Sequence, residues 1–257
     1  MHELLGLPFS PWSEQACWAL DVRHVPYRYR HYQPILGEPA LRIKTKRWRG
    51  NVTVPVLTDA HGRVYDDSAK IARFADAHGE GPRLFPPEQE AKVRHWIEVS
   101  ERGLAAGRML SLRRQLLDDQ ALKELVPPAL QRLLGKHAAQ LGRLGIQRTV
   151  AKYGASPGSA DQARQTARAA LDELRAALAG SSTTPATLLD SFSFADITAA
   201  QLLGFVSPPA FGLKLGKATK RGFTDPQLAN EYGDLLVWRD ALYETYRPRR
   251  KAGSSSQ

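Results

Sequence analysis

What most restricts the fold of this chain is a change in hydrophobic period across one Gly/Pro-rich stretch, Gly79-Glu80-Gly81-Pro82 followed by Pro86-Pro87. Before it, short strand-like runs alternate with helical ones. His2 to Leu7 reads as a strand, Pro8 to Pro11 as a loop, and Ser13 to Arg23 as a helix with Ala16, Leu20 and the body of Trp18 available for burial. Tyr27 to Tyr32 (YRYRHY) alternates aromatic and basic residues, the period of a half-buried strand. Pro34 to Arg49 is irregular and basic, with a short helix near Pro39 to Ile43. Val54 to Thr58 and Arg63 to Asp66 are strand-like, joined by Asp59-Ala60-His61-Gly62, which has hairpin-turn chemistry. Ser68 to His78 is helical, with Ile71, Phe74 and Ala75 on one face and Gly79 placed to end it. A βαβ unit, a β-hairpin and a closing helix make a mixed α/β domain over residues 1–80, with residues 81–87 as a linker.

Residues 88–247 contain no alternating segment and read as an all-helical domain. Glu88 to Leu117 is a long amphipathic helix, a second runs from Pro128 or Ala129 to about Lys152, and a third spans Ala160 to Leu178. Ser156-Pro157-Gly158-Ser159 breaks the pattern, and the tail, residues 248–257, is low-complexity and expected to be disordered.

Several classes of function are disfavoured. No apolar run approaches the ~20 residues of a membrane span, and the N-terminus lacks the features of a signal peptide. With one cysteine, Cys17, there is no internal disulfide, and that residue reads as a small buried apolar side chain. These points favour the cytoplasm. The seven histidines show no metal-ligand spacing and there is no phosphate-loop motif, so no metal is expected. The formal net charge of +10 is spread along helices without interleaved aromatics, which favours small anions over nucleic acid or a membrane as partner. Two basic clusters stand out: Arg42, Lys44, Lys46, Arg47 and Arg49, and Arg247, Arg249, Arg250 and Lys251.

Four local signals carry chemistry or structure. Ser10-Pro11-Trp12-Ser13 follows the first strand; Pro11 suits the first position of a helix with Ser10 as N-cap, and a helix N-terminus attracts anions and lowers thiol pKa values. In a thioredoxin-like domain these positions hold a C-x-x-C pair, so two serines exclude disulfide exchange. Val54-Pro55 opens a strand, either as a trans edge proline or as a cis peptide near a site. Asp66-Asp67-Ser68 precedes a helix, where Asp67 or Ser68 caps it and the free amides can hold a carboxylate. Ser193 to Asp196 reads as a capping box, with Phe192 and Ile197 as the hydrophobic staple. The last is a structural signal; Asp196 as a general base is the weaker reading.

In this order the pieces ELLGLPFSPWSEQACWAL, TVPVL, YDDSAKIARFAD and FSFADITAAQLL resemble the cytosolic glutathione transferases, in particular serine-type, bacterial-like members with an enlarged helical domain. The resemblance implies a thioredoxin-like N-terminal domain that binds glutathione as co-substrate, an all-α C-terminal domain, and a homodimer. It implies Ser10 as the catalytic hydroxyl, donating to the glutathione sulfur. It also implies a glutathione site of Trp12, Ser13, the backbone of Val54 before Pro55, Asp67 and Ser68. Trp12, Trp96 and Met109 are candidates to line a pocket for a small electrophile, with core packing the leading role for Trp96. The chain departs from the pattern at Thr53, where the family often has Lys and where Arg49 is the candidate substitute cation, and in the extended section Asp118 to Gly158. A non-catalytic binding or scaffolding protein of the same fold is the alternative reading.

Overall fold

The computed structural model describes residues 1–34, 37–153 and 160–249. The break expected at Ser156–Ser159 and the tail beyond Arg249 lie outside the described residues. The chain divides into two compact units. One holds Met1–Ile97, Ser181–Gln201 and the stretch from Ala241 onward; the other holds Glu98–Gly180 and Leu202–Asp240.

In the first unit the elements run β1 (His2–Gly6), α1 (Pro11–Val22), β2 (Tyr27–His31), α2 (Glu38–Thr45), β3 (Val56–Thr58), β4 (Val64–Tyr65) and α3 (Ser68–His78). The sheet order is β2-β1-β3-β4. β1 is parallel to β2 and antiparallel to β3, and β3 is antiparallel to β4. This is the thioredoxin-like arrangement expected from the sequence. Leu4, Trp18, Leu20, Leu57 and Ile71 are fully buried and make the core between the sheet and the packed pair α1 and α3. β3 is shorter than expected, with ladder pairing beginning at Val56, and the Val54-Pro55 peptide just before it is cis.

The Gly/Pro stretch after α3 is held tightly. The buried guanidinium of Arg23 donates to the carbonyls of Asp76 (2.9 Å) and Pro82 (3.0 Å). Leu84 and Phe85 are buried. The chain then forms α4 (Glu90–Leu116), whose length matches the long helix read from the sequence and which passes into the second unit after Ile97.

The remaining helices are α5 (Asp119–Glu124), α6 (Pro128–Leu134), α7 (Ala138–Lys152), α8 (Ala160–Leu178), α9 (Phe194–Leu202), α10 (Lys217–Phe223), α11 (Pro226–Glu231) and α12 (Gly233–Tyr246). The single helix expected from Pro128 to Lys152 is two helices. Gly135 takes a positive φ of 52°, which ends α6, and a 3-10 turn over Gly135–His137 leads into α7. The helices α5 and α10 to α12 were not read from the sequence.

Within the second unit, α7 lies on α5 so closely that a Cβ on Gly142 would sit 2.0 Å from the Leu122 carbonyl oxygen. Leu122, Ala139 and Ile146 form the core of that contact. The α5 carboxylate of Glu124 accepts from the amides of Ala218 (3.0 Å) and Thr219 (2.8 Å), capping α10 from a different element. Asp225 caps α11 through the Leu228 amide (3.2 Å) and binds Arg114 (2.8 Å) and Arg164 (3.0 Å).

In the first unit, α9 and the end of α12 complete the domain begun by α1. Phe192 stacks on Tyr246 with centroids 4.1 Å apart, and Trp18 Nε1 donates to the Tyr246 carbonyl at 3.0 Å. Arg247, grouped with the basic tail on sequence, is instead buried. It donates to Glu14 Oε1 and to Asp21 Oδ2, both at 2.6 Å. Burial works against its charge, but the carboxylates of Glu14 and Asp21 outweigh that and push its pKa up.

Candidate active site

Three chain segments emerge at one end of the four-stranded sheet. β1 ends there, since Leu5 lies opposite Val56, the first residue of β3. β4 also ends there, since Tyr65, its last residue, lies opposite Leu57. The segment leaving β1 carries Ser10, the segment entering β3 carries Val54 and Pro55, and the segment leaving β4 carries Asp67 and Ser68. Topology therefore brings together positions far apart in sequence. Leu7 and Val54 also pack against the same apolar cluster of Tyr32, Leu41, Val52 and Val56.

Ser10 is the N-cap of α1, with Pro11 at the first helical position. Its carbonyl starts the helix by accepting from the Glu14 amide at 3.0 Å, but its side chain makes no capping hydrogen bond. The hydroxyl is thus half-buried at a positive helix end and is not used to hold that end. Ser13 is different: it is buried, and its Oγ accepts from the Leu7 amide at 3.0 Å, tying the loop back onto α1. It also faces Gly6, where an added Cβ would come within 3.0 Å of Ser13 Oγ. Trp12 is half-buried beside them.

At the start of α3, Asp67 is the N-cap; its carboxylate accepts from the amides of Ala69 (2.7 Å) and Lys70 (3.3 Å). Ser68 is buried and turns its hydroxyl inward, donating to Gln15 Oε1 at 2.8 Å. Gln15 Nε2 in turn donates to Thr198 Oγ1 on α9 at 3.1 Å. This buried chain fixes the N-terminus of α3 against the first turns of α1, about one turn from Ser10. Gln15 was missed on sequence, where a polar residue inside a short helix gives no sign that it faces the core.

Asp66 accepts from Lys70 and from Arg47, both at 2.8 Å. Burial raises its pKa, but the Lys70 hydrogen bond and the charges of Lys70 and Arg47 hold the carboxyl below the usual range. Arg47 reaches this end of the sheet through Asp66; Arg47 and Arg49, the candidate cation from sequence, are both exposed. Arg47 belongs to a run of similar cations and follows Lys46, which ends α2 with a left-handed φ of 54°.

Residues 9–78 match the family profile described as "Glutathione S-transferase, N-terminal domain". A "Probable glutathione S-transferase" of Solanum tuberosum is 29% identical over 106 residues, which is 40% of this chain and 47% of that protein. The chain therefore spans about half the length of the curated relative it matches. Among solved structures, a glutathione S-transferase from Methylobacillus flagellatus with glutathione bound superposes with a TM-score of 0.60 at 15% identity, covering 99% of this chain and 97% of that one. The chain has the glutathione transferase fold. A glutathione transferase from Phanerochaete chrysosporium reaches a TM-score of 0.65 at 14% identity, over 97% of this chain and 98% of that one. A glutathione S-transferase of Ceriporiopsis subvermispora in complex with glutathione reaches 0.61 at 19% identity, over 98% and 99%.

On this glutathione transferase fold, the expected capping box at α9 is present with one change. Asp196 accepts from the Ser193 amide at 2.8 Å, as read from sequence. The Ser193 hydroxyl accepts from the Ala195 amide (3.2 Å), one residue earlier than expected, and donates to Asp196 Oδ2 at 3.1 Å. Asp196 also accepts from the Leu188 amide at 2.8 Å, a contact that sequence spacing does not reveal. Burial pushes the Asp196 carboxyl up to about 6, against the pull of the hydrogen bonds from Leu188 and Ser193. Cys17 is buried, as expected. Among the described residues there is no helix long and apolar enough to cross a membrane.

Proposed function

We propose that this protein is a glutathione-dependent transferase in which the Ser10 hydroxyl donates to the glutathione sulfur. The observation that carries this reading is the Ser10 side chain, which stands at the N-terminus of α1 and makes no capping bond. A donor and a positive helix end both favour thiolate over thiol, whose pKa is ~8.5 in free cysteine. The thiolate is then the nucleophile toward an electrophilic carbon. Ser13 suits this role less well, because its oxygen already accepts from Leu7.

The remaining residues suit binding rather than chemistry. The backbone of Val54 before cis-Pro55 would pair with the cysteinyl part of the tripeptide. The helix start at Asp67 and Ser68 would hold its γ-glutamyl end through the Ser68 amide and the positive end of α3, since Asp67 itself already takes the amides of Ala69 and Lys70. Trp12 and Ser13 would flank it. We also propose that the chain works as a homodimer, the commonest closed assembly; sedimentation showing only a subunit-mass species at micromolar concentration would reject that.

The test is conjugation of glutathione to a generic electrophile. Ser10→Ala should lower kcat/KM at neutral pH by about 10- to 100-fold, since a hydrogen bond to a charged group contributes about 1.5–3 kcal/mol. The deficit should shrink as pH rises and bulk base supplies the thiolate, while glutathione affinity stays near wild type. If wild type shows no turnover but is retained on immobilised glutathione, the non-catalytic binding reading replaces this one.

A further inference from the structure

The section that lengthens the helical region differs in composition from the rest of the chain. Between Glu124 and Asp161 there is no Asp or Glu, although the chain has 26 acidic residues in 257. The same stretch carries Arg132, Lys136, Arg143, Arg148 and Lys152. These cations lie on α6, the turn after it and α7.

The helices are also apolar on the wrong side for a simple surface. α7 already buries one face, through Ala138, Ala139, Gly142 and Ile146. Its outer face presents Leu144, 62% exposed, and Leu141, 36% exposed, three residues apart and so on one side of the helix. α6 buries none of its residues, and its Leu133 is 79% exposed and Leu130 39%. Single exposed leucines are ordinary. Leucines set among Lys and Arg, with no acidic residue on either helix, form a basic amphipathic surface, although Arg143 is paired with Asp119 of α5.

Charge and shape select the occupant. A second copy of the same surface would bring like charges together. Nucleic acid would use the cations but leave the leucines without a role, and stacking aromatics are lacking apart from Tyr153. A protein partner would need a shaped acidic counterpart, whereas an acyl boundary accepts leucine side chains without one. We propose that α6 and α7 form a peripheral docking surface for anionic phospholipid bilayers, with the leucines entering the headgroup boundary and Arg132 and Lys136 on the phosphates. The expectation of no membrane partner came from the lack of a spanning segment and from the spread of charge along the chain. Surface docking needs no span, and here the charge is local.

The test is co-sedimentation of the full chain with vesicles of phosphatidylcholine alone, or of phosphatidylcholine mixed with phosphatidylserine. Binding should require phosphatidylserine and should weaken with salt. Arg132→Gln/Lys136→Gln should weaken it about 25-fold, at about fivefold for each cation near the surface. Lys92→Gln/Arg94→Gln, which removes two exposed cations from α4, is the charge-matched control and should change it less than about twofold. Leu133→Ser/Leu144→Ser should weaken it by at least about tenfold without altering the helical circular dichroism. Equal binding to neutral vesicles, no binding to either kind, or equal losses in the control and in the α6 variant would each overturn the proposal.

Discussion

Ser10 and Ser193 both stand at helix N-caps in the first unit, and the fold uses them in opposite ways. Ser193 is fully buried, and its hydroxyl both accepts from the Ala195 amide and donates to Asp196. Ser10 is half-buried and its hydroxyl holds no helix amide. The same residue type at the same helical position is structural where every group finds a protein partner and chemically available where one does not. The difference is made by what reaches each helix start. Asp196, Leu188 and Leu84 surround the α9 start, the last by accepting from the Phe194 amide at 3.0 Å.

The comparison breaks most readily at Asp196. Asp196→Ala leaves the half-buried Leu188 amide and the buried Ser193 amide without their acceptor, and should cost about 3 kcal/mol of stability while conjugation by the folded fraction persists. Thermal or urea unfolding measures the first effect. Loss of activity at unchanged melting temperature would mean that the α9 start is part of the site and the contrast with Ser10 is false.

Ser193→Ala should follow at about 2 kcal/mol, because it removes one acceptor and one donor from a buried network. A stability change as small as that of a surface serine would show that the network does not depend on it.

The pH response has a definite sign. The Asp196 carboxyl titrates near 6 in the folded protein, above its ordinary value of 3.8. Between those values the folded state binds the extra proton, so the stabilising contribution is present in full below about pH 4 and is lost as pH rises through about 6, at about 1 kcal/mol per pH unit. Melting curves of wild type and Asp196→Asn over this range should differ by that slope. Parallel curves would put the titration elsewhere.

The smallest effect is expected at Ser10. Since its side chain makes no capping bond, Ser10→Ala should change stability by less than about 0.5 kcal/mol. Set beside the proposed loss of turnover, that would separate chemistry from folding. A loss of 1 kcal/mol or more would make Ser10 an ordinary cap like Ser193.

Much of the fold could be read from the sequence because it depends on local rules. The period change at Gly79 to Pro87, the alternation of Tyr27 to Tyr32 and the capping residues Asp67 and Ser193 each act within a few positions. They lead to the β1 to α3 order and to the existence of α4, α7, α8 and α9. The short helix α10 escaped because its start is capped from a distance, by Glu124 on α5; α5 carries a local signal that was passed over, since Asp118 caps it through the amides of Gln120 and Ala121. The break inside the expected helix from Pro128 depends on a single glycine, Gly135, which is also tolerated within helices.

What the sequence determined by itself is which helix ends can be capped and where strands and helices alternate, since these follow from backbone geometry and side-chain chemistry between neighbours. Only the tertiary structure decided which of the capping groups remain available. Ser13, Gln15, Ser68 and Arg247 look like surface residues in sequence, yet each is buried with a polar partner from elsewhere in the chain. A buried polar group must find such a partner. The partners of Gln15 and Arg247, Thr198 and Glu14, are 183 and 233 positions away, so nothing near either residue could reveal it.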